Sequence, residues 1–254
     1  STDTTEIGSR MVFEDDGPSI DPNSVTVPTL TTDDTAVTDT TAWTSFAGLF
    51  GTANFGKDGF LDVNHDGVAD ANAITYALAL KDGGSNVASG LTDTLSGDAV
   101  VLNKVGNNIV GTISGTATEV FRIELNTDTG EVRLIQARSV VHDDPADPAE
   151  TGASAAGLSA ANLVTLTVTI TDGDYDTDTA VRNIGDAFKF VDDGPSIDPN
   201  SVTVPTLTTD DTAVTDTTAW TSFAGLFGTA NFGKDGFLDV NHDGVADANA
   251  ITYA

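Results

Sequence analysis

Apolar and small polar residues alternate along three stretches, "SVTVPTL" (24–30), "AITYALAL" (73–80) and "LVTLTVTI" (163–170). Period-two alternation in segments rich in Val, Ile and Thr predicts β-strands, because successive side chains point to opposite faces of a sheet. "DAVVLNKVGNNIVGTI" reads as a hairpin turning at Gly106-Asn107-Asn108, and "VFRIELNTDTGEVRLIQA" as a second one turning at Asp128-Thr129-Gly130. Asn, Asp and Gly tolerate the positive φ that tight turns require. Over residues 144–163 the alternation lapses, which predicts a loop with room for one short helix. Many short strands with polar turns between them give an all-β fold, read as an Ig-like β-sandwich.

The strand pattern is embedded in a long repeat. The run that begins "DDGPSIDPNSVTVPTL" at Asp15 begins again at Asp192, 177 residues later, and is identical over 63 positions, Asp15–Ala77 against Asp192–Ala254. Upstream, "EIGSRMVF" aligns more weakly with "NIGDAFKF" in the same frame. A period of this length exceeds the roughly 20–50 residues of a solenoid unit and suits an independently folding domain. The expected organisation is the end of one repeat (1–16), a complete repeat (17–193) and the first part of another (194–254), cut from a tandem array. The last part lacks most of the strands that would complete its sheet.

Charge changes the picture next. Ten basic residues against 39 acidic ones give a net charge of −29 in a chain of 254 residues. That balance argues against nucleic-acid or anionic-membrane partners, which are polyanions, and creates a self-repulsion that cations relieve. There is no cysteine, so stability must come from packing or metal rather than disulfides. No apolar run of about 18 residues predicts a transmembrane helix, and no direct membrane insertion is expected. The opening "STDTTEIGSR" has no signal-peptide character.

The acidic residues are concentrated rather than spread. In "FGKDGFLDVNHDGVADANA", Asp62, Asn64, Asp66, Gly67 and Asp70 occupy relative positions 1, 3, 5, 6 and 9 of an EF-hand-like calcium loop. The Val68 carbonyl can add a ligand, and Asp58 of the preceding turn another. Position 12 is Ala73 rather than glutamate, and the flanks are β-like, so the expectation is a calcium turn between strands. The second copy places Asp235, Asp239, Asn241, Asp243, Val245 and Asp247 identically. Hard calcium takes six to eight oxygens, and clustered carboxylates without it repel one another. The competing reading is a solvated turn built from turn-favouring residues.

Two further clusters carry the same alternatives. In "TDGDYDTDT", Asp172, Asp174, Asp176 and Asp178 alternate after an apolar strand, which on an extended segment puts four carboxylates on one side. "DDGP" recurs at the repeat boundaries, with Asp15 and Asp16 before Pro18 and Asp192 and Asp193 before Pro195. These aspartates read either as ligands of a calcium shared between adjoining repeats or as a plain capped turn. Asp33, Asp34 and "HDDPAD" (142–147) are weaker candidates for the same role and read more readily as ordinary turns.

With these residues in view, the chain resembles the repeat domains of giant RTX adhesins exported by type I secretion in Gram-negative bacteria. The resemblance is carried by "ITYALAL", "SGLTDTLSGDAVVLNKVGNNIVGTI", "EVFRIELNTDTGEVRLIQARSVVHDDPADPAE", "LVTLTVTITDGDYDTDTA" and "FKFVDDGP". It implies calcium-binding Ig-like extenders that hold a distal tip away from the cell, with the "DGDYDTD" and "DDGP" aspartates as ligands near the domain ends. The chain departs from that pattern in its longer "LDVNHDGVAD" insert, which offers an additional site.

The expected function is therefore a structural extender of a secreted or surface-anchored adhesin, outside the cell, stiffened by several Ca2+ ions and acting in cell adhesion and biofilm. Its partners would be neighbouring repeats of the same chain. Two alternatives have their own signals. A calcium-dependent glycan or cell-surface module would use Trp43 and Trp220 as sugar platforms, although a core Trp is the commoner role in a sandwich. A filament or matrix of identical chains would use the incomplete sheet of residues 194–254 as an open edge. An enzyme is not expected. His65 and His242 are one position in two copies, His142 stands alone, and no nucleophile–base arrangement or phosphate loop presents itself.

Overall fold

Among the described residues, thirteen strands follow the hydrophobic pattern: β1 (Leu30–Asp33), β2 (Asp39–Thr40), β3 (Thr44–Ser45), β4 (Ile74–Leu80), β5 (Val87–Thr92), β6 (Ala99–Val105), β7 (Asn108–Ile113), β8 (Glu119–Leu125), β9 (Glu131–Gln136), β10 (Ala156–Gly157), β11 (Val164–Thr171), β12 (Thr177–Asn183) and β13 (Phe188–Val191). They come from a computed structural model that describes residues 8–12, 14–142, 147, 149–212 and 215–253. Glu6, Ile7 and Phe13 of the weak upstream match, and Asp143, Asp144, Pro145 and Ala146 of "HDDPAD", lie outside the described residues. Short single turns of 3-10 helix are the only helix among them, so the fold is all-β as expected.

Three sheets are formed, in the orders β2-β9-β8-β7-β6-β5, β12-β11-β4 and β1-β13-β10, with β3 also pairing β9. All pairings are antiparallel except β1 with β13. Both predicted hairpins form. β6 and β7 meet at Val105 and Asn108 across Gly106-Asn107, and β8 and β9 turn at Gly130 with φ of 68°. Along β11 burial alternates residue by residue, with Val164, Leu166, Val168 and Ile170 inward and the threonines outward. These side chains join Leu78 and Leu80 of β4, Leu102, Ile109, Phe121 and Leu134 of the large sheet, and Phe188 and Phe190 of β13 in one core. Burying each such side chain fully contributes about 1.5–3 kcal/mol.

Three expectations are corrected. "SVTVPTL" is not a strand over 24–30: pairing begins only at Leu30. Pro28 has no N–H to give a ladder, and the Val25 carbonyl instead accepts from Arg182 Nη2 at 3.0 Å. The 171–179 segment is not extended throughout. β11 and β12 are joined by a turn over 172–176 in which Tyr175 has a φ of 79° and Asp176 N–H donates to Asp172 Oδ1 at 2.8 Å. Trp43 is not a core residue. It is 41% exposed, with the Arg133 guanidinium 4.5 Å from its ring centroid.

The core cluster draws on residues from Ile20 to Phe190. Among the described residues of 194–254 there is no strand and no buried side chain, yet the local turns of the first copy reappear. Ser196 bridges Asn231 and Pro199 bridges Phe227, as Ser19 bridges Asn54 and Pro22 bridges Phe50. The Asn200 side-chain amide donates to the Gly225 and Phe227 carbonyls, as Asn23 does to Gly48 and Phe50.

Candidate metal centres

The first candidate centre is assembled at the turn between β11 and β12. Asp15, Asp58 and Asp174 bring carboxylate oxygens to within 4.8 Å of one another from three separate segments. Backbone contacts fix this meeting. Phe60 bridges Asp172, and Gly173 N–H donates to the Gly59 carbonyl at 2.9 Å. A Cβ on Gly173 would stand 2.5 Å from the Asp58 carbonyl oxygen, so only glycine allows the two turns to approach this closely. Asp16 Oδ1 accepts from Lys57 N–H at 2.9 Å, tying the junction aspartates to the same loop. Asp172 is fully buried beneath the group, and its Oδ2 has no hydrogen-bond partner. Asp178 does not join the centre, because it lies in β12 and accepts from Ile20 N–H at 2.8 Å.

Electrostatics there favours a cation. Asp58 is held above the ordinary carboxylate range, first by a hydrogen bond shared with Asp15, then by desolvation and the charges of Asp15, Asp16 and Asp172. Asp174 and Asp176 are raised in the same way, first by hydrogen bonds to Asp172 and Asp15 respectively. All the donors are oxygen, which is calcium's preference.

The insert behaves differently. Asp62 accepts from Asp66 N–H at 3.1 Å and Gly67 N–H at 2.8 Å, Asn64 Oδ1 from Asp66 N–H at 3.0 Å, and Asp66 Oδ1 from Val68 N–H at 2.8 Å. Asp70 Oδ2 closes the loop onto Val63 N–H at 2.9 Å, with His65 at φ 57° and Gly67 at φ 82°. Asp239, Asn241, Asp243 and Asp247 repeat these bonds in the second copy, where Val245 N–H donates to Asp243. Among the described residues, Asp62, Asp66 and Asp70 do not converge as a close carboxylate group.

A second centre was not legible as such. Asp34, His142, Asp192 and Asp235 place one ligand atom each within 4.8 Å of the others. The parallel register of β1 and β13 ends at Asp33 opposite Val191, so the next residues, Asp34 and Asp192, leave the sheet side by side. His142 is oriented by its Nε2, 3.2 Å from the Phe190 carbonyl in β13. Asp235 arrives from the second copy, where Lys234 N–H donates to Asp193 Oδ1 at 2.9 Å, the counterpart of the Lys57–Asp16 bond. Asp193 N–H donates to Asp34 Oδ1 at 3.1 Å. Asp34 and His142, which the sequence offers only as weaker candidates beside an ordinary-turn reading, thus stand in one cluster. A pair of turn-like aspartates, Asp33-Asp34, and a lone His142 carry no metal-ligand spacing, and the parallel pairing that sets Asp34 beside Asp192 spans most of the chain.

Burial, the charges of Asp235 and Asp192, and only partial relief from Ser139 and His142 push Asp34 up to about 6. Asp192 and Asp235 are also raised, each chiefly by burial. A carboxyl with a raised folded value contributes stability that is complete below its unfolded value and lost as pH rises through the folded one. With chelator present, the protein is therefore expected to melt higher near about pH 5 than near about pH 7.5. Circular-dichroism melts at the two pH values check this, and an order unchanged or reversed contradicts it.

Residues 29–185 match the family described as Domain of unknown function (DUF5801). The chain belongs to that family. No curated protein and no solved structure matches it. The DUF5801 segment contains Asp34, Asp58, His142, Asp172 and Asp174, whereas Asp15, Asp192 and Asp235 lie on its flanks. Each centre therefore joins groups of the DUF5801 segment to groups outside it.

Proposed function

We propose that this chain is a calcium-stiffened extender of a large secreted or surface-anchored bacterial adhesin, built of tandem Ig-like sandwiches and similar to RTX adhesin repeats. The observation that carries this reading is the convergence of Asp15, Asp58 and Asp174 beside the buried Asp172, whose Oδ2 has no hydrogen-bond partner. Its donors are all oxygen, they come from segments distant in sequence, and one of them belongs to the junction motif. An ion held there ties the boundary "DDGP" to the body of the repeat and removes a bend point between neighbours. The unbroken repetition of 63 residues suits a spacer, and the charge of −29 supplies the repulsion that calcium would offset. No helix of the described residues is long and apolar enough to cross a membrane.

The test is thermal unfolding of the whole chain in excess chelator, then with a few millimolar calcium or magnesium. A site with Kd on the order of 10⁻⁴ M would add about 2 kcal/mol at such concentrations. Calcium is expected to raise the melting temperature by several degrees, and the double variant Asp58→Asn, Asp174→Asn to abolish most of that gain. Equal melting with chelator, magnesium and calcium would sink the proposal.

A further inference from the structure

We infer that Asp34, His142, Asp192 and Asp235 form a site for a transition-metal dication of the zinc class, separate in chemistry from the calcium centre. The decisive feature is what each member leaves unused. Asp34 Oδ2, His142 Nδ1, Asp192 Oδ1 and Asp235 Oδ1 are all buried atoms without a hydrogen-bond partner, one from every residue of the group. Asp34 is wholly buried, so water does not compensate it. Buried polar atoms are ordinarily satisfied, and four residues of one cluster that each keep an orphan atom call for a common partner.

The donor set selects the partner. Three carboxylates only accept, so they cannot satisfy one another. A backbone carbonyl also only accepts, so the contact to Phe190 places a proton on His142 Nε2, and the neutral imidazole then offers its Nδ1 lone pair to the group. An imidazole held this way by a backbone carbonyl is the usual support of a metal-bound histidine. Calcium seeks six to eight oxygens, whereas one imidazole nitrogen with three carboxylates in a four-membered set suits zinc and its neighbours.

Such an ion would also have a structural consequence. Asp34, His142 and Asp192 come from the complete repeat and its end, but Asp235 comes from the second copy. The second copy rests on the first beside this point, where a Cβ on Gly97 would stand in contact with His242 Nε2. Bound metal would therefore clamp residues 194–254 against the complete repeat.

The test uses the tag-free full chain, stripped with chelator and titrated with zinc in the presence of millimolar calcium. One zinc equivalent per chain is expected, with residues 194–254 becoming protected from limited proteolysis. His142→Ala and Asp34→Asn should each weaken that binding by at least the roughly 10–100-fold typical of lost metal support. Asp58→Asn and His242→Ala should leave it unchanged. Cobalt in place of zinc gives a second readout on the unaltered protein, a visible absorption band with nitrogen ligation that calcium does not displace. Zinc binding of equal strength in His142→Ala, or displacement by millimolar calcium, overturns the inference. Because the calcium melts address Asp58 and Asp174, either centre can fail while the other stands.

Discussion

Arg138→Met is expected to cost about 3–5 kcal/mol, on the order of a 10 °C fall in melting temperature for a domain of this size. Asp93 is completely buried, and Arg138 grips it with Nε at 2.6 Å from Oδ1 and Nη2 at 2.9 Å from Oδ2. Ser96 N–H adds a third bond at 2.9 Å. Burial alone would raise the Asp93 carboxyl, but the guanidinium and Ser96 together hold it below its ordinary range. Its contribution is thus present above the unfolded value and lost as pH falls through the lower folded one. Methionine keeps the length of the stem while leaving the carboxylate uncompensated, and the sign then reverses: the variant should gain stability as pH falls.

The double variant Asp93→Asn, Arg138→Met separates a lost bond from a stranded charge. It should recover most of the loss, because no ion is left buried without a partner. Denaturant melts of wild type, both single variants and the double give the coupling directly. A double variant no more stable than Arg138→Met would mean that the packing of the arginine stem, not the charge, carries the effect. The pair also supports the junction. Asp93 opens the turn whose Gly97 meets His242, and whose Thr94 lines the same cavity as Asp192 and Asp235.

Local features of this fold were readable in the sequence and distant ones were not. β4, β11 and both hairpins follow from alternation and turn residues within a few positions. The parallel pair β1–β13 does not, because Leu30 and Phe188 are brought together only by the folding of everything between them. The apparent strand at 24–30 failed where its alternation ran through Pro28, a residue that cannot donate to a ladder. At the candidate centres, repetition marked Asp15, Asp58, Asp192 and Asp235, and spacing marked Asp174. Repetition also covers Asp34, whose counterpart is Asp211, but neither signal set it apart from an ordinary turn or reached His142, and their meeting with Asp192 rests on register. The signal that could have raised His142 was its place in a chain with only three histidines, two of them one repeated position.

Phe46→Ala and Phe223→Ala, one substitution made at two positions of identical surrounding sequence, should differ sharply in cost. Phe46 is fully buried and Phe223 is 37% exposed. The same contrast holds for Phe50 and Phe227, at 4% and 43%, and for Leu61 and Leu238, at 1% and 43%. The local contacts do not differ: Phe55–Phe60 and Phe232–Phe237 both meet edge-on, at 6.2 and 6.4 Å. What the first copy adds is the body of the repeat, where Phe46 N–H donates to the Gly130 carbonyl at 3.0 Å and its ring enters the core. Truncation there removes a filled volume and should cost about 3–5 kcal/mol, whereas the exposed site should change by no more than about 0.5 kcal/mol. Urea unfolding of the two variants in the whole chain reads the difference. Were Phe223→Ala to cost as much as Phe46→Ala, residues 194–254 would have to be covered in solution by something beyond this chain's own fold. Sedimentation over a range of concentrations would then identify a second copy as the cover. Equal small costs would instead remove Phe46 from the core, and with it the packing that positions the turn beside Asp58.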